Sequence, residues 1–154
     1  MIKYFSNDYF DARKEFLEAA ETSGVPVIQF CHPLTGPNEE ELGTDIALMG
    51  SQSAENIIIV GSATHGIEGF CGSGCQTGFL QENWSTKLNS NTALILVHAN
   101  NPYGFAHQRR INEDNIDLNR NFIDFQTALP DSSQYSKLRS SLVRKVCLMK
   151  QNSL

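Results

Sequence analysis

Apolar residues recur along the chain in patterns that alternate between helical and strand spacing. Residues 7–23 carry an apolar face at helical spacing, and Gly24 stands where such a helix would end. Further segments are predicted as strands at 25–31, 44–49, 56–61 and 92–97, a helix at 69–84 and an ordered loop at 100–121. Because helices separate the strands, the pattern predicts α/β layers, with 56–61 as a central strand buried on both faces.

Length and charge exclude several classes of function. The chain has 154 residues and a formal net charge of −5, which disfavours a nucleic-acid partner. Its longest apolar runs, 57–60 and 93–97, fall far short of the ~18 residues that span a bilayer. Polar residues interrupt the N-terminus before a signal peptide can form. We therefore expect a cytoplasmic protein with reduced cysteines and no membrane partner.

The C-terminal segment differs in charge from the rest of the chain. Residues 136–154 carry five basic residues and no acid. Leu138, Leu142, Val146 and Met149 recur at helical spacing, which is typical of a final helix with a solvated basic face. Alternatively, the segment after Val143 is foreign to the domain, as a frameshift or premature stop would leave it. We expect a domain over residues 1–143 and a basic tail over 144–154.

The strand at 56–61 leads into a histidine and a glutamate separated by two residues. His65 and Glu68 would lie at the carboxyl edge of an α/β sheet, where such folds bind ligands. Imidazole and carboxylate groups are good zinc ligands, but two ligands are too few for a stable site. By itself this spacing also fits a hydrogen-bonded surface pair.

A second polar segment, at 101–122, follows the strand at 92–97. It contains three arginines and several amides, which suit recognition of a carboxylate or of a developing oxyanion. Without further context, the same composition also describes a surface loop crossed by salt bridges.

Together the two segments resemble the zinc carboxypeptidases, the carboxypeptidase A-like metallopeptidases, and most of all a bacterial subgroup described mainly as a domain of unknown function. The resemblance covers about residues 25–125. It is carried by His65-x-x-Glu68, Asn101-Pro102-x-Gly104, Arg110-x-Asn112 and Asp117-Leu118-Asn119-Arg120-Asn121-Phe122. It implies a three-layer α/β sandwich with a mixed, largely parallel central sheet. Aspartoacylase and succinylglutamate desuccinylase share similar motifs, so an amidohydrolase of that kind is an alternative.

The resemblance also implies a role for each matching residue. His65 and Glu68 would bind zinc, and Asp117 would orient His65. Arg110 would polarise the scissile carbonyl and stabilise the oxyanion. The terminal carboxylate of a peptide or N-acyl amino acid substrate would be held by Asn119 and Arg120. The implied reaction is zinc-dependent hydrolysis of a peptide or amide bond next to a free carboxylate.

Two further parts of that site have no match in this chain. The family's third zinc ligand is a downstream histidine, yet no histidine follows His107. Its general base is a glutamate further downstream, where this chain offers only Asp124 and Asp131. We therefore expect the chain to be the N-terminal half of such a domain, in a truncated form that is weakly active or inactive. We also expect it to self-associate through an uncovered sheet. A non-catalytic remnant or binding module is the alternative, and His98 is the first substitute ligand to consider.

Overall fold

A computed structural model describes residues 3–120 and, beyond them, residues 122, 124, 126–128, 133, 137 and 138. The chain forms two compact units, Met1–Asn121 and Phe122–Leu154. In the second unit, Asp124 closes a turn by accepting the backbone N–H groups of Gln126 and Thr127. The remainder of the predicted C-terminal helix and the proposed boundary at residue 143 lie outside the described residues, so both stay predictions.

The first unit contains three α-helices and four strands among its described residues. The helices are α1 (Tyr9–Thr22), α2 (Gly69–Gln81) and the short α3 (Pro102–Ala106), and the strands are β1 (Val27–Thr35), β2 (Glu41–Met49), β3 (Asn56–Gly61) and β4 (Thr92–His98). Short 3-10 turns cover Trp84–Lys87 and Leu118–Arg120. The chain enters α1 through Asp8, whose side chain accepts the N–H of Asp11.

The strands form one mixed sheet in the order β1-β2-β4-β3. This confirms the predicted α/β class with a mixed sheet. Parallel pairing, however, joins only β3 to β4 among the described strands, whereas β1–β2 and β2–β4 pair antiparallel. The expectation of a largely parallel sheet is therefore wrong for this part of the chain. The cause is topological, since β1 and β2 are joined by a short turn, and only β3 and β4 are separated by a helical crossover.

One face of the sheet is covered by helices. Phe16, Ala19 and Ala20 of α1 and Leu80 of α2 pack on the inward side chains of β2 and β4, which are Ala47, Met49, Leu94 and Leu96. Both long helices thus lie on the same side and form one layer, which together with the sheet supplies two layers of the expected three-layer sandwich within the described residues. No helix in this part of the chain is long and apolar enough to cross a membrane.

The other face of the sheet is apolar and open. Every residue of β3 is exposed, and the side chains of Ile57 and Ile59 are 61% and 66% exposed. The expectation that β3 is a central strand buried on both faces is therefore wrong. An apolar run of four residues, 57–60, cannot by itself distinguish a central strand from an edge strand, and here β3 occupies the end of the strand order.

An ion pair fixes α1 to the sheet. Arg13 donates from Nε and Nη2 to the two carboxylate oxygens of Asp45, over 2.8 and 3.0 Å, and Asp45 is completely buried. The same guanidinium donates to the backbone carbonyl of Glu41. This bidentate contact aligns the helix with β2 at the residue pair Asp45–His98, where β4 ends and the polar loops begin.

Candidate functional site

The two polar loops lie side by side because β3 and β4 are parallel neighbours. After the strands end, the N–H of Asn100 donates to the carbonyl of Ser62, and the N–H of Asn101 donates to that of Ala63. The side chain of Asn101 caps α3 by accepting the N–H of Gly104 and also contacts the carbonyl of Thr64. The loop that carries His65 and the arginine-rich loop are therefore held together by backbone bonds at the carboxyl edge of the parallel pair.

Close backbone approach sets the position of the first loop. Ala63 adopts a positive φ of 53°, in the left-handed region, and turns the chain away from β3. Gly66 donates its N–H to the carbonyl of Arg109 over 2.9 Å. A Cβ at Gly66 would overlap the backbone of Gly104 and Arg109, so only glycine fits this contact.

His65 lies between two carboxylates. Its Nε2 is 2.9 Å from Oδ1 of Asp117, and its Nδ1 is 3.9 Å from Oε1 of Glu68. The imidazole is largely buried, with 12% of the side chain exposed, whereas 69% of the Glu68 side chain is exposed. When Nε2 carries the proton and donates to Asp117, Nδ1 keeps its lone pair on the side of Glu68.

Asp117 connects His65 to the arginine-rich loop. Its Oδ2 accepts from Nε of Arg110 over 2.8 Å, and its Oδ1 also accepts the N–H of Asn119 over 3.0 Å. The hydrogen bond to His65, followed by those from Arg110 and Asn119, lowers the pKa of Asp117 to about 2. The carboxylate therefore stays ionised and can hold both partners over the whole physiological pH range.

The Asn119–Arg120 pair lies directly after this carboxylate. The N–H of Arg120 donates to the carbonyl of Asp117, and its Nη1 donates to the carbonyl of Asn119 over 3.0 Å. Both side chains are exposed. The structure thus brings all six residues singled out from the sequence into two adjacent loops: His65, Glu68, Arg110, Asp117, Asn119 and Arg120. Their roles stay predictions.

The other histidines and cysteines do not complete a metal site in the described part of the chain, where no group of three or more potential ligands is present. His98, the first substitute considered, is fully buried, stacks on Phe16 and lies 2.8 Å from the hydroxyl of Ser73. It faces the helix layer and acts as a core residue. His107 is half-buried against the ring of Tyr103.

The sequence reasoning missed one pair of residues. His32 on β1 accepts the N–H of Leu34 at Nδ1, so its proton lies on Nε2, which is 3.3 Å from Oε1 of Glu113. The two residues are 81 positions apart, and no local pattern connects them. By contrast, the capping role of Asn101 could have been found, because an asparagine directly before a proline is typical of a helix start.

A comparison with protein families identifies one match. The family described as "Protein of unknown function (DUF2817)" matches residues 5–152. The expected assignment to the zinc carboxypeptidase family is therefore wrong, because no carboxypeptidase family matches. That assignment rested on four short motifs that occupy few positions, whereas the family match extends over nearly the whole chain. No curated protein matches the sequence.

Several solved structures are partly similar. Glutaminyl cyclase of Tannerella forsythia aligns with a TM-score of 0.44 at 13% identity, over 62% of this chain and 40% of that chain. Glutaminyl cyclase of Macrostomum lignano gives 0.43 at 15% identity, over 65% of this chain and 33% of that chain. Glutaminyl cyclase of Fimbriiglobus ruber aligns with a TM-score of 0.41 at 12% identity, over 57% of this chain and 36% of that chain. The matched part thus spans well under half the length of each of these proteins.

Proposed function

Because the chain belongs to the family described as a protein of unknown function (DUF2817), we propose an activity from its own residues: zinc-dependent hydrolysis of a peptide or amide bond next to a free carboxylate. The observation that carries this proposal is the position of Asp117, which accepts from His65 and Arg110 at the same time. One carboxylate thus aligns a metal-binding imidazole with a guanidinium that can stabilise an oxyanion.

The donor geometry near His65 fits zinc. Two ligand atoms on a tetrahedral zinc at about 2.1 Å lie about 3.4 Å from each other. The 3.9 Å between Nδ1 of His65 and Oε1 of Glu68 closes to that distance with a small rotation of the exposed Glu68 side chain. The bond from Nε2 to Asp117 is the kind of outer contact that fixes a metal-binding histidine in one tautomer.

Zinc at this position would polarise a carbonyl and lower the pKa of a bound water. His65 and Glu68 would hold it, and with two protein ligands we expect weak binding, since catalytic sites use three. A third ligand would have to come from outside the described residues. We therefore expect slow hydrolysis by this chain.

Arg110 is the proposed oxyanion donor. Its Nε is bonded to Asp117, so the guanidinium plane is fixed, and 52% of the side chain is exposed for contact with a substrate. The two Nη groups form the other side of the donor fork and suit a developing oxyanion. Arg120 and Asn119, exposed on the following turn, are the proposed partners of the substrate carboxylate.

Zinc titration and a hydrolysis assay test the proposal. Calorimetry should show weak zinc binding that His65→Ala abolishes. With zinc added, wild-type protein should slowly release the C-terminal amino acid from N-blocked dipeptides, and Arg110→Ala should lose that activity by about 100-fold or more. Lys14→Ala, which removes an exposed positive charge on α1, is the control and should behave as wild type. Zinc binding that persists in His65→Ala contradicts the proposed ligand set.

A binding module without turnover is the second candidate, favoured by the presence of only two clustered zinc donors among the described residues. In that case dipeptides should bind and Arg120→Ala should weaken their binding, while no product forms at any zinc concentration. An assay with N-acetyl amino acids beside the dipeptides tests the amidohydrolase alternative. The cytoplasmic location and the lack of nucleic-acid and membrane partners stay predictions.

A further inference from the structure

Two cysteines form a pair on α2, outside the proposed site. Cys71 and Cys75 are four positions apart on this helix, so their side chains lie on the same face, one turn from each other. Both are free thiols, and both are exposed. Because α2 packs onto the sheet through other residues, such as Leu80, the pair is accessible from solvent and lies outside that core.

The two thiols interact with each other. Desolvation, followed by the coulombic influence of Cys71 and a hydrogen bond between the two side chains, raises the pKa of the Cys75 thiol. The Cβ atoms of residues four apart on a helix lie about 5–6 Å from each other, whereas a disulfide needs about 3.5–4.5 Å. The helix thus brings the sulfur atoms together at a spacing that does not suit a disulfide, and the pair stays available as two thiols.

Cys75 also lines an apolar cavity of about 380 Å³ between α2 and the strands β3 and β4. None of the described residues in its wall is charged. The side chain of Gln76 is polar but already occupied, because it accepts from the hydroxyl of Ser62 and donates to two strand carbonyls. On this side, therefore, the described wall offers the sulfur of Cys75 to a ligand and no carboxylate or imidazole beside it.

We propose that Cys71 and Cys75 bind one Cu(I) ion between their two sulfur atoms. Thiolates are ligands that select Cu(I), which accepts linear coordination by two of them. Two metal–sulfur bonds in line, at the length of about 2.3 Å found for zinc, span about 4.6 Å and fit between Cβ atoms about 5–6 Å apart. Zinc uses three or four protein ligands, and the described residues contain no group of three potential ligands. Binding breaks two S–H bonds and forms two Cu–S bonds, both protons pass to solvent, and copper stays in the +1 state.

Competition for Cu(I) with the chromogenic chelator bicinchoninate, without oxygen and with ascorbate present, tests the proposal. Wild-type protein should withdraw one Cu(I) per chain from the chelator. Cys71→Ser and Cys75→Ser should each weaken Cu(I) binding by about 100-fold or more, since loss of even an outer contact of a metal ligand costs about 10- to 100-fold. Circular dichroism establishes that both variants are folded. X-ray absorption at the copper edge of the wild-type complex should show two sulfur neighbours, which tests the ligand set without any substitution.

Cys31→Ser is the matched control, because Cys31 is also an exposed free cysteine but lies on β1. This variant and Cys147→Ser, which removes the fourth cysteine of the chain, should bind Cu(I) as the wild-type protein does. His65→Ala should also retain binding, so the test is independent of the proposed function. The proposal is overturned if wild-type protein leaves Cu(I) with the chelator, if Cys71→Ser binds as tightly as wild type, or if copper has a nitrogen or a third sulfur neighbour.

Discussion

Asp117 accepts a hydrogen bond from Nε2 of His65 over 2.9 Å, and this contact leaves Nδ1 as the nitrogen that faces Glu68. The two residues are 52 positions apart, so the contact exists only because the loops after β3 and β4 emerge together. The orientation of the imidazole is thus a property of the sheet topology as much as of the local His-x-x-Glu spacing.

Replacing Asp117 by asparagine should weaken zinc binding. The amide can still accept from His65, but its NH₂ group would then meet the Nε donor of Arg110, so one of the two contacts is lost. Loss of such an outer contact typically reduces metal affinity by about 10- to 100-fold. Calorimetric zinc titration measures the change, and Asp124→Asn is the control. Unchanged affinity in a folded Asp117→Asn protein would show that Asp117 does not orient the ligand.

Gly66→Ala should separate the two loops. The added Cβ has to displace the backbone of Gly104 or Arg109, and the bond from Gly66 N–H to the carbonyl of Arg109 would be broken. We expect a loss of about 1–3 kcal/mol in the free energy of unfolding. Gly36→Ala is the control, since there the new methyl meets only the flexible side chain of Glu40. Equal stabilities of both variants in urea denaturation would contradict the close approach.

The elements were predictable where local pattern determines them. The bounds of β3 agree with the prediction, and β4 differs by one residue. The predicted first strand stopped at Cys31, but β1 runs to Thr35 through Pro33, because it is an end strand with an irregular register there and tolerates a missing N–H. The position of β3 at the sheet end was not predictable, since pairing order depends on long-range contacts.

The site was predictable to the extent that short motifs mark it. His65 and Glu68 form a local pattern, and the asparagine, aspartate and arginines of the second loop are a dense polar cluster after a buried strand. The pair His32–Glu113 was not predictable, because β1 reaches the second loop only through the fold. The same motifs led to the wrong family, since a few shared ligand positions do not specify the rest of a chain.

Removing one partner of the Arg13–Asp45 pair should strongly destabilise the fold. Arg13→Ala leaves the fully buried carboxylate of Asp45 without its counter-charge, which typically costs about 3–5 kcal/mol. Thermal or urea unfolding measures the loss. Lys14→Ala breaks the neighbouring Lys14–Glu18 pair, whose side chains are about 60% exposed, and should change stability by less than about 0.5 kcal/mol. Similar effects of the two substitutions would contradict the structural role of Arg13.

The expected self-association through the sheet can be tested at β3. Ile59, 66% exposed on an apolar sheet face, is typical of a surface that associates. Analytical ultracentrifugation should show concentration-dependent association of wild-type protein that Ile59→Lys weakens. The control is Ile67→Lys, at a residue with the same exposure outside the sheet. A wild-type protein that sediments as a monomer at all concentrations would contradict the expectation.

His98 should make the protein sensitive to acid. It is buried among Phe16, Phe105 and Ser73, and Arg13 and Asp45 of the neighbouring elements lie close to it. Burial, with a contribution from the positive charge of Arg13, lowers the pKa of His98 from 6.5 to about 3. The unfolded state therefore binds the proton more readily than the folded state does.

The stability that neutral His98 contributes is fully present above pH 6.5 and is lost as the pH falls from 6.5 towards 3. Within that window we expect the free energy of unfolding to decrease by about 1.4 kcal/mol for each pH unit. The variant His98→Gln has no titrating group at this position and should therefore show a flatter dependence of the free energy of unfolding on pH. At neutral pH we expect this variant to be less stable than the wild-type protein. Urea denaturation at pH 7, 6, 5 and 4.5 measures the slopes, and equal slopes for His98→Gln and wild type would contradict the assignment of the acid sensitivity to His98.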